Sequence, residues 1–468
     1  MRRVPGLLLA AGLLAAGRSA TAQPNGLPAP LTARIDSVFA RFILAGSPGC
    51  ALGVMRDGRL AYARGYGLAS VELGVPITPA TIFDLGSVSK QFTAMAVVLL
   101  AQDGKLRLDD EIQKFLPELP RFAKPVTIRQ LLHHTSGIRD YIDLLVWSGV
   151  PEEAVTGDRD ALEILTRQRA PNFASGAEFL YSNSGFFLLS VIVRRASGQS
   201  LRQFAAEQIF GPLGMTHTFY LDRHDEIVPG KAGSYAPAPG GGFLLALANW
   251  EQTGDGAVQT SVEDLLRWDG NFSSGAVGGA QAIRELETRG VLSDGKSIDY
   301  ALGQSVDSYR GLRRISHGGS WAGFRAQLTR FPEQHTSIST LCNVANAAPG
   351  VLAARVADLV LSDAFTAPVP APQAFVPRPR QAEPTRAMAE YAGRYHSDEL
   401  LADWVLVAAG DSLRVRIGPT YQEMVQPGPN GLVIAGSRVQ PVEADGKLIG
   451  LVLNSRGARD FRLTRVSP

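Results

Sequence analysis

The sequence predicts a mixed α/β (α+β) protein: an antiparallel β-sheet flanked by helices, an all-helical subdomain, and a small β domain of its own at the C-terminus. Three observations predict it. A hairpin signal lies near the front of the chain, and strand-like runs return at 312–346. The stretch between them is mostly helical in pattern, so strands from both chain ends join in one sheet with helices between. A Pro-rich segment then gives way to short alternating runs.

The elements follow in chain order. Arg2 and Arg3 precede an apolar run from Val4 to Gly17, and Ala20-Thr21-Ala22 offers a small-x-small cleavage site. That layout is a secretory signal peptide over 1–22, and its apolar run is too short to span a bilayer. The chain is therefore expected to be exported, periplasmic or secreted, with no membrane anchor. Ile35, Val38, Phe39, Phe42 and Ile43 carry helical spacing over 35–46. Asp57-Gly58 sits between two alternating segments, a strong hairpin signal. Phe92, Met95, Val98 and Leu99 predict a core-packed helix over 88–102. From about 105 to 300 the pattern is mostly helical, with irregular stretches near 140–160 and 225–258. Ser261 precedes Glu263, Asp264, Leu265 and Trp268 and reads as a helix cap.

Pro368, Pro370, Pro372, Pro377, Pro379 and Pro384 make 366–384 a stiff, extended linker. It separates a main domain, 23–365, from residues 385–468. Those residues show five short alternating runs divided by turn signals such as Asp445-Gly446, as a barrel or sandwich would.

Composition narrows the function classes. Hydrophobic residues make up 45% of the 468, enough for a sizeable core. Losing residues 1–22 removes three Arg and turns the formal charge from +2 to −1. That balance argues against nucleic acid or an anionic membrane as partner. The seven His show no zinc-ligand spacing, so neither metal nor other cofactor is expected. Cys50 and Cys342 either pair in an oxidising compartment or stand as two buried small hydrophobes. Glu251, Asp255 and Asp269 read as caps and solvated faces rather than an acid/base pair.

Chemistry concentrates in three places. Ser87-Val88-Ser89-Lys90 opens the helix 88–102, and residues three apart share a helix face. Lys90 can therefore reach the Ser87 hydroxyl, which is a weak nucleophile until a base takes its proton. Ser293 and Lys296 share this spacing, but the intervening Asp294-Gly295 marks a turn. Tyr181-Ser182-Asn183 precedes the helical run 186–195. A cation such as Lys90 beside Tyr181 is expected to lower the phenol's pKa. The alternative is a capping Asn and a buried Tyr. His317-Gly318-Gly319-Ser320 continues the strand from Arg313, and two glycines there mark a close approach to the backbone. The N–H groups of Ser87 and Ser320 are then placed to form an oxyanion hole. The alternative is a bulged strand with a surface His.

In this order, Ser-x-x-Lys, Tyr-x-Asn and a Lys/His-x-Gly strand resemble the serine β-lactamase and penicillin-binding superfamily. Thr127-Ile128-Arg129-Gln130-Leu131-Leu132-His133-His134-Thr135-Ser136-Gly137 narrows the resemblance to the class C branch, which includes D-stereospecific peptidases and carboxylesterases. The likeness covers about 30–362. It implies that Ser87 forms an acyl-enzyme, that Lys90 and Tyr181 shuttle the proton, and that Asn183 binds the substrate's acyl side chain. His317, Gly319 and Ser320 would line the substrate. It also implies that the strands of Cys50 and Cys342 lie side by side. Tyr391-Ala392-Gly393-Arg394-Tyr395 resembles the first strand of the lipocalin-like barrels found in similar proteins. Where class C lactamases carry Lys-Thr-Gly, this chain has His317-Gly318-Gly319, with less charge to grip a penicillin carboxylate. Arg325 is a candidate to replace that charge. The expected function is hydrolysis of an amide, ester or β-lactam in a small-molecule or peptide substrate, with peptidase or esterase favoured over β-lactamase. The alternatives are a penicillin- or peptide-binding sensor that acylates without turnover, and a ligand-capturing role for 385–468.

Overall fold

The computed structural model describes residues 26–151, 153–368, 386–410, 412–418, 421–428 and 430–467. The expected signal peptide, 1–22, and all but the first three residues of the expected linker lie outside the described residues.

The sheet uses both chain ends. Its strands are β1 (Cys50–Arg56), β2 (Arg59–Tyr66), β3 (Ser305–Tyr309), β4 (Leu312–Trp321), β5 (Phe324–Phe331) and β6 (Thr336–Cys342). The order across the sheet is β3-β4-β5-β6-β1-β2, antiparallel throughout. Asp57 and Gly58 both take positive φ, 52° and 71°, which is what a two-residue turn matched to strand twist requires. Arg310-Gly311 repeats that turn and joins β3 to β4.

In β1 every residue but Arg56 is buried, because helices cover both faces. On one side lie α1 (Ala29–Val38) and, near the end of this domain, Pro349–Val360, with Ile35, Phe39, Leu52, Ile338 and Val356 fully buried between them. The front helix starts and stops earlier than the periodicity of 35–46 suggests. Pro30 stands in its first turn, where no N–H is required, and the chain turns into a 3-10 segment, Ala40–Phe42. The other face packs on the helical part through α2 (Lys90–Gln102), α3 (Tyr141–Trp147), α4 (Asn183–Ser197) and α5 (Val262–Ser274). Ser261 caps α5, its Oγ accepting from Asp264 N at 3.2 Å. The two stretches expected to be irregular each hold an element. Asp140 caps α3 within the first, and a hairpin of Tyr235–Pro237 and Phe243–Leu245 fills the second.

β1 and β6 place Cys50 opposite Cys342, and the two form a disulfide with both residues fully buried. Each of the two readings of these cysteines is thus partly right.

Eight strands from Gly393–Ser397 to Phe461–Ser467 close into a barrel, the first pairing with the last. Inward positions such as Tyr395, Trp404, Val415, Ile434, Leu451 and Phe461 are 0–1% exposed. Eight strands enclose just enough room for side chains to fill. Among the described residues no helix is long and apolar enough to cross a membrane.

The barrel leans on α3. Trp404 Nε1 donates to Trp147 O (2.8 Å), and Trp147 Nε1 donates to Ser437 Oγ (2.9 Å). At the other end of the helix, Asp140 N donates to Gly457 O (3.0 Å), while Ser455 Oγ (2.6 Å) and Gly457 N (3.1 Å) donate to Asp143 Oδ2.

Candidate active site

Ser87 lies in a 3-10 turn, Gly86–Ser89, that leads directly into α2. The turn is tight because two glycines let backbones touch. Gly86 has φ +49°, and a Cβ there would stand 2.6 Å from Ser320 N. A Cβ on Gly319 would stand 1.8 Å from Leu85 O, so β4 runs backbone to backbone against the serine turn. This is the close approach that the paired glycines of β4 signalled.

The same contact orients an N–H group. Trp321 pairs with Phe324 across the two-residue turn Ala322-Gly323. That flanking pair is the hydrogen-bonded one, and bonded and unbonded pairs alternate along the ladder. Ser320 therefore points its N–H away from β5, toward Gly86 and Ser87.

Lys90 is fully buried and uses all three of its donors. They go to Ser87 Oγ (3.0 Å), Asn183 Oδ1 (2.9 Å) and the backbone O of Asp255 (2.6 Å). The two carbonyl-type oxygens can only accept. In a neutral amine they claim both N–H bonds and leave the lone pair facing the Ser87 hydroxyl. Burial lowers the Lys90 pKa to about 8, against the opposing pull of Asp255 and Asp140.

Both acids are nearly fully buried, and burial raises the pKa of each. Asp140 Oδ2 accepts from Asn183 N (2.5 Å) and Nδ2 (3.0 Å), which turns Asn183 Oδ1 toward Lys90. Asp255 accepts from Tyr141 OH (3.1 Å) and sits between Gly254 and Gly256 in a loop tied to α2. Thr93 Oγ1 donates to Gly254 O (2.7 Å), and Ser89 Oγ accepts from Val258 N (3.0 Å). The sequence reading of Asp255 as a cap or solvated carboxylate is therefore corrected: it is interior and beside Lys90. Asp269 is partly buried and bonded to Ser337.

Tyr181 is buried with its ring 4.9 Å from Lys90 Nζ. Its hydroxyl faces Ser87 without a hydrogen bond of ordinary length among the described residues. The expected lowering by Lys90 is not what the surroundings produce. Burial dominates and pushes the phenol well above its ordinary value, aided by Asp255 and Asp140 and opposed by Ser87. Tyr181 is thus a neutral phenol at physiological pH.

His317 is held from both sides. Its Nδ1 donates to Gly318 O (2.6 Å), which leaves Nε2 to accept from Tyr300 OH (3.0 Å). Burial, then Lys90, lowers its pKa to about 4, so the ring is neutral. Arg325 turns its guanidinium to the carbonyls of Ala322 (2.8 Å) and Phe324 (2.7 Å). Ser293 and Lys296 lie on an exposed turn, and Ser293 Oγ accepts from Lys124.

Ser87, Tyr181, Asn183, Asp255 and Ser320 open onto one cavity of about 390 Å³, walled by Trp250, Trp321 and Phe324. Among the described residues no group of three or more His, Cys, Asp or Glu is gathered to hold a metal. Sequence reasoning missed Asp140 and Asp255. Asp140 stands at a cap position before Tyr141 and Ile142, and Asp255 lies between two glycines, but neither signal points to Lys90.

The family model described as Beta-lactamase matches residues 35–362. A D-aminopeptidase of Gluconobacter oxydans is 29% identical over 324 residues, 69% of this chain and 60% of that protein. Penicillin-binding protein 4* of Bacillus subtilis is 29% identical over 306 residues, 61% of this chain and 66% of that protein. The chain spans about three fifths of the length of the curated D-aminopeptidases it matches. Among solved structures, the octameric penicillin-binding protein homologue from Pyrococcus abyssi aligns with a TM-score of 0.63 at 23% identity, over 93% of this chain and 99% of that one. The D-amino acid amidase from Ochrobactrum anthropi SV3, complexed with L-phenylalanine amide, aligns with a TM-score of 0.60 at 20% identity, over 71% and 99%. These likenesses show the shared fold.

Proposed function

The chain belongs to the Beta-lactamase family, and from that premise we propose that it is a serine hydrolase that cleaves an amide or peptide bond through an acyl-enzyme on Ser87. The observation that carries the reading is the set of three acceptors around Lys90 Nζ. Two of them fix the amine and the third is the Ser87 hydroxyl.

The chemistry follows from the geometry. Lys90, neutral in a sizeable fraction near its lowered pKa, takes the Ser87 proton as Oγ attacks the substrate carbonyl. The N–H groups of Ser87 and Ser320 hold the developing oxyanion. Tyr181, kept protonated by its surroundings, gives its proton to the leaving nitrogen. The proton held by Lys90 then restores the phenol. Water attacks the acyl-enzyme with the same groups in reverse roles.

The amide preference draws on the relatives, named D-aminopeptidase and D-amino acid amidase. His317 adds to it, since a neutral ring with both nitrogens engaged offers no charge for a penicillin carboxylate. Asn183, with Oδ1 and Nδ2 both engaged, acts here by holding Lys90. The Cys50–Cys342 disulfide and the leader-like N-terminus support export to an oxidising compartment. The reading is tested by assaying the purified chain on D-alanine p-nitroanilide, D-amino-acid amides and nitrocefin. Amide turnover that is lost in Ser87→Ala and exceeds nitrocefin turnover is the expected result. Full activity in Ser87→Ala contradicts it.

A further inference from the structure

His134 belongs to the stretch Thr127–Gly137 but touches neither Ser87 nor the cavity wall. It follows the short helix Ile128–Leu132 and takes φ +56°, a left-handed backbone uncommon for a residue with a side chain. Such a conformation persists where the surroundings hold it, and it turns both the His134 carbonyl and its ring toward one segment. Leu180 N donates to His134 O (3.0 Å), and Ser182 N donates to His134 Nδ1 (3.2 Å). The two bonds bracket Tyr181, whose backbone shifts only if one of them breaks. The imidazole also lies against the phenol ring, with centroids 4.2 Å apart.

The ring is built to accept and not to carry protons. Nδ1 takes the Ser182 N–H, so the imidazole proton sits on Nε2. Among the described residues Nε2 has no hydrogen-bond partner; the rings of Tyr300 and Phe186 surround it, with centroids 4.6 and 5.2 Å from that of His134. A proton on Nε2 therefore has no route to Ser87. Burial first, then Lys90, His317 and His133, press the His134 pKa well below the ordinary imidazole value. The ring stays neutral, and Nδ1 stays an acceptor.

We infer that His134 is a positioning residue for Tyr181: its Nδ1 and carbonyl oxygen fix the Leu180–Ser182 backbone so that the phenol hydroxyl faces Ser87. The role rests on the reading above, in which Tyr181 protonates the leaving nitrogen. It gives the stretch Thr127–Gly137 a part in the chemistry that none of its side chains performs by contact with substrate.

The test is a double-mutant cycle read by turnover of D-alanine p-nitroanilide per equivalent of fluorophosphonate bound, so that unfolded protein does not imitate the effect. His134→Phe keeps a ring and removes the acceptor. A displacement of a catalytic group by about an ångström costs up to about 100-fold, so kcat should fall about 10- to 100-fold with KM little changed. His134→Asn keeps an acceptor near the Nδ1 position and tolerates the left-handed backbone, and should recover most of that loss. In a Tyr181→Phe background the further change from His134→Phe should be less than about twofold, because the group it positions is gone. If His134→Phe yields no labelled protein, His134→Gly, which suits the same φ, takes its place in the cycle. Native kcat without the acceptor, no recovery in His134→Asn, or an equal loss with and without the Tyr181 hydroxyl each overturns the assignment and leaves the hydrolase reading standing. Native turnover in Tyr181→Phe alone overturns the donor role of Tyr181 and the positioning role of His134 together.

Discussion

A single methyl group at Gly457 should slow an active site from which the barrel is otherwise separate. Gly457 lies in the barrel loop beneath Asp140. A Cβ there would stand 2.4 Å from Asp140 Cβ and 2.8 Å from Asp143 Oδ2. Carbon atoms rest at about 3.5–4.0 Å, so the loop or Asp140 must retreat by roughly an ångström. That movement stretches the Asp140 N–H bond to Gly457 O and the Gly457 N–H bond to Asp143. Overpacking of this kind costs about 1–3 kcal/mol, and each weakened hydrogen bond adds up to about 1 kcal/mol. At about 2 °C per kcal/mol for a chain of this size, Gly457→Ala should lower Tm by about 2–10 °C. The kinetic effect should be larger. Asp140 orients Asn183, which fixes Lys90, and a displacement of about an ångström at a catalytic group costs up to about 100-fold. The expected result is a kcat reduced about 10- to 100-fold with KM little changed, read by hydrolysis of a chromogenic amide beside thermal unfolding. Arg456→Ala, exposed and one residue away, serves as the neutral control. Native kcat in a Gly457→Ala protein that melts normally would refute the coupling of barrel to site.

Other outcomes follow from the same structure. If neutral Lys90 is the base, log kcat/KM should rise with pH and level off above about 8; a rate independent of pH between 6 and 9 contradicts that role. Tyr181→Phe should lose about 10²–10⁴-fold in turnover while still labelling Ser87, since it removes the proton donor and keeps the ring. Replacing Cys50 and Cys342 with Ser should destabilise by about 2–5 kcal/mol, because the bond closes a loop of 292 residues, and thiol titration of the unfolded native protein should find no free Cys. Gly270→Ala, inside α5 with open space where the Cβ would go, should raise stability by about 0.5–1 kcal/mol in denaturant unfolding.

Local signals were legible in the sequence, and long-range geometry was not. Asp57-Gly58 announced a hairpin because a two-residue turn needs two positive φ angles. Gly318-Gly319 announced a close approach, though only the fold could say that the Leu85–Ser87 backbone lies there. The strand Ser305–Tyr309 went unread, since its turn, Arg310-Gly311, puts a residue with no turn signature at the first positive φ. Lys90 and Ser87 were visible as a helical pair. The lowering of Lys90 and the raising of Tyr181 both come from burial under residues up to 165 positions away, which no spacing rule encodes. That is why a neighbouring cation was expected to set the Tyr181 phenol, when removal from water sets it instead. Asp140 and Asp255 looked like ordinary polar loop residues because their partners, Asn183, Lys90 and the barrel loop at Gly457, arrive from distant parts of the chain.

The central claim is that Ser87 is the nucleophile and Lys90 its base. Its most direct test is covalent: the purified protein is incubated with a fluorophosphonate and examined by intact mass and peptide mapping. One equivalent on Ser87 is predicted, absent in Ser87→Ala and at least 100-fold slower in Lys90→Ala. Label on another serine, or undiminished labelling of Ser87→Ala, would contradict it.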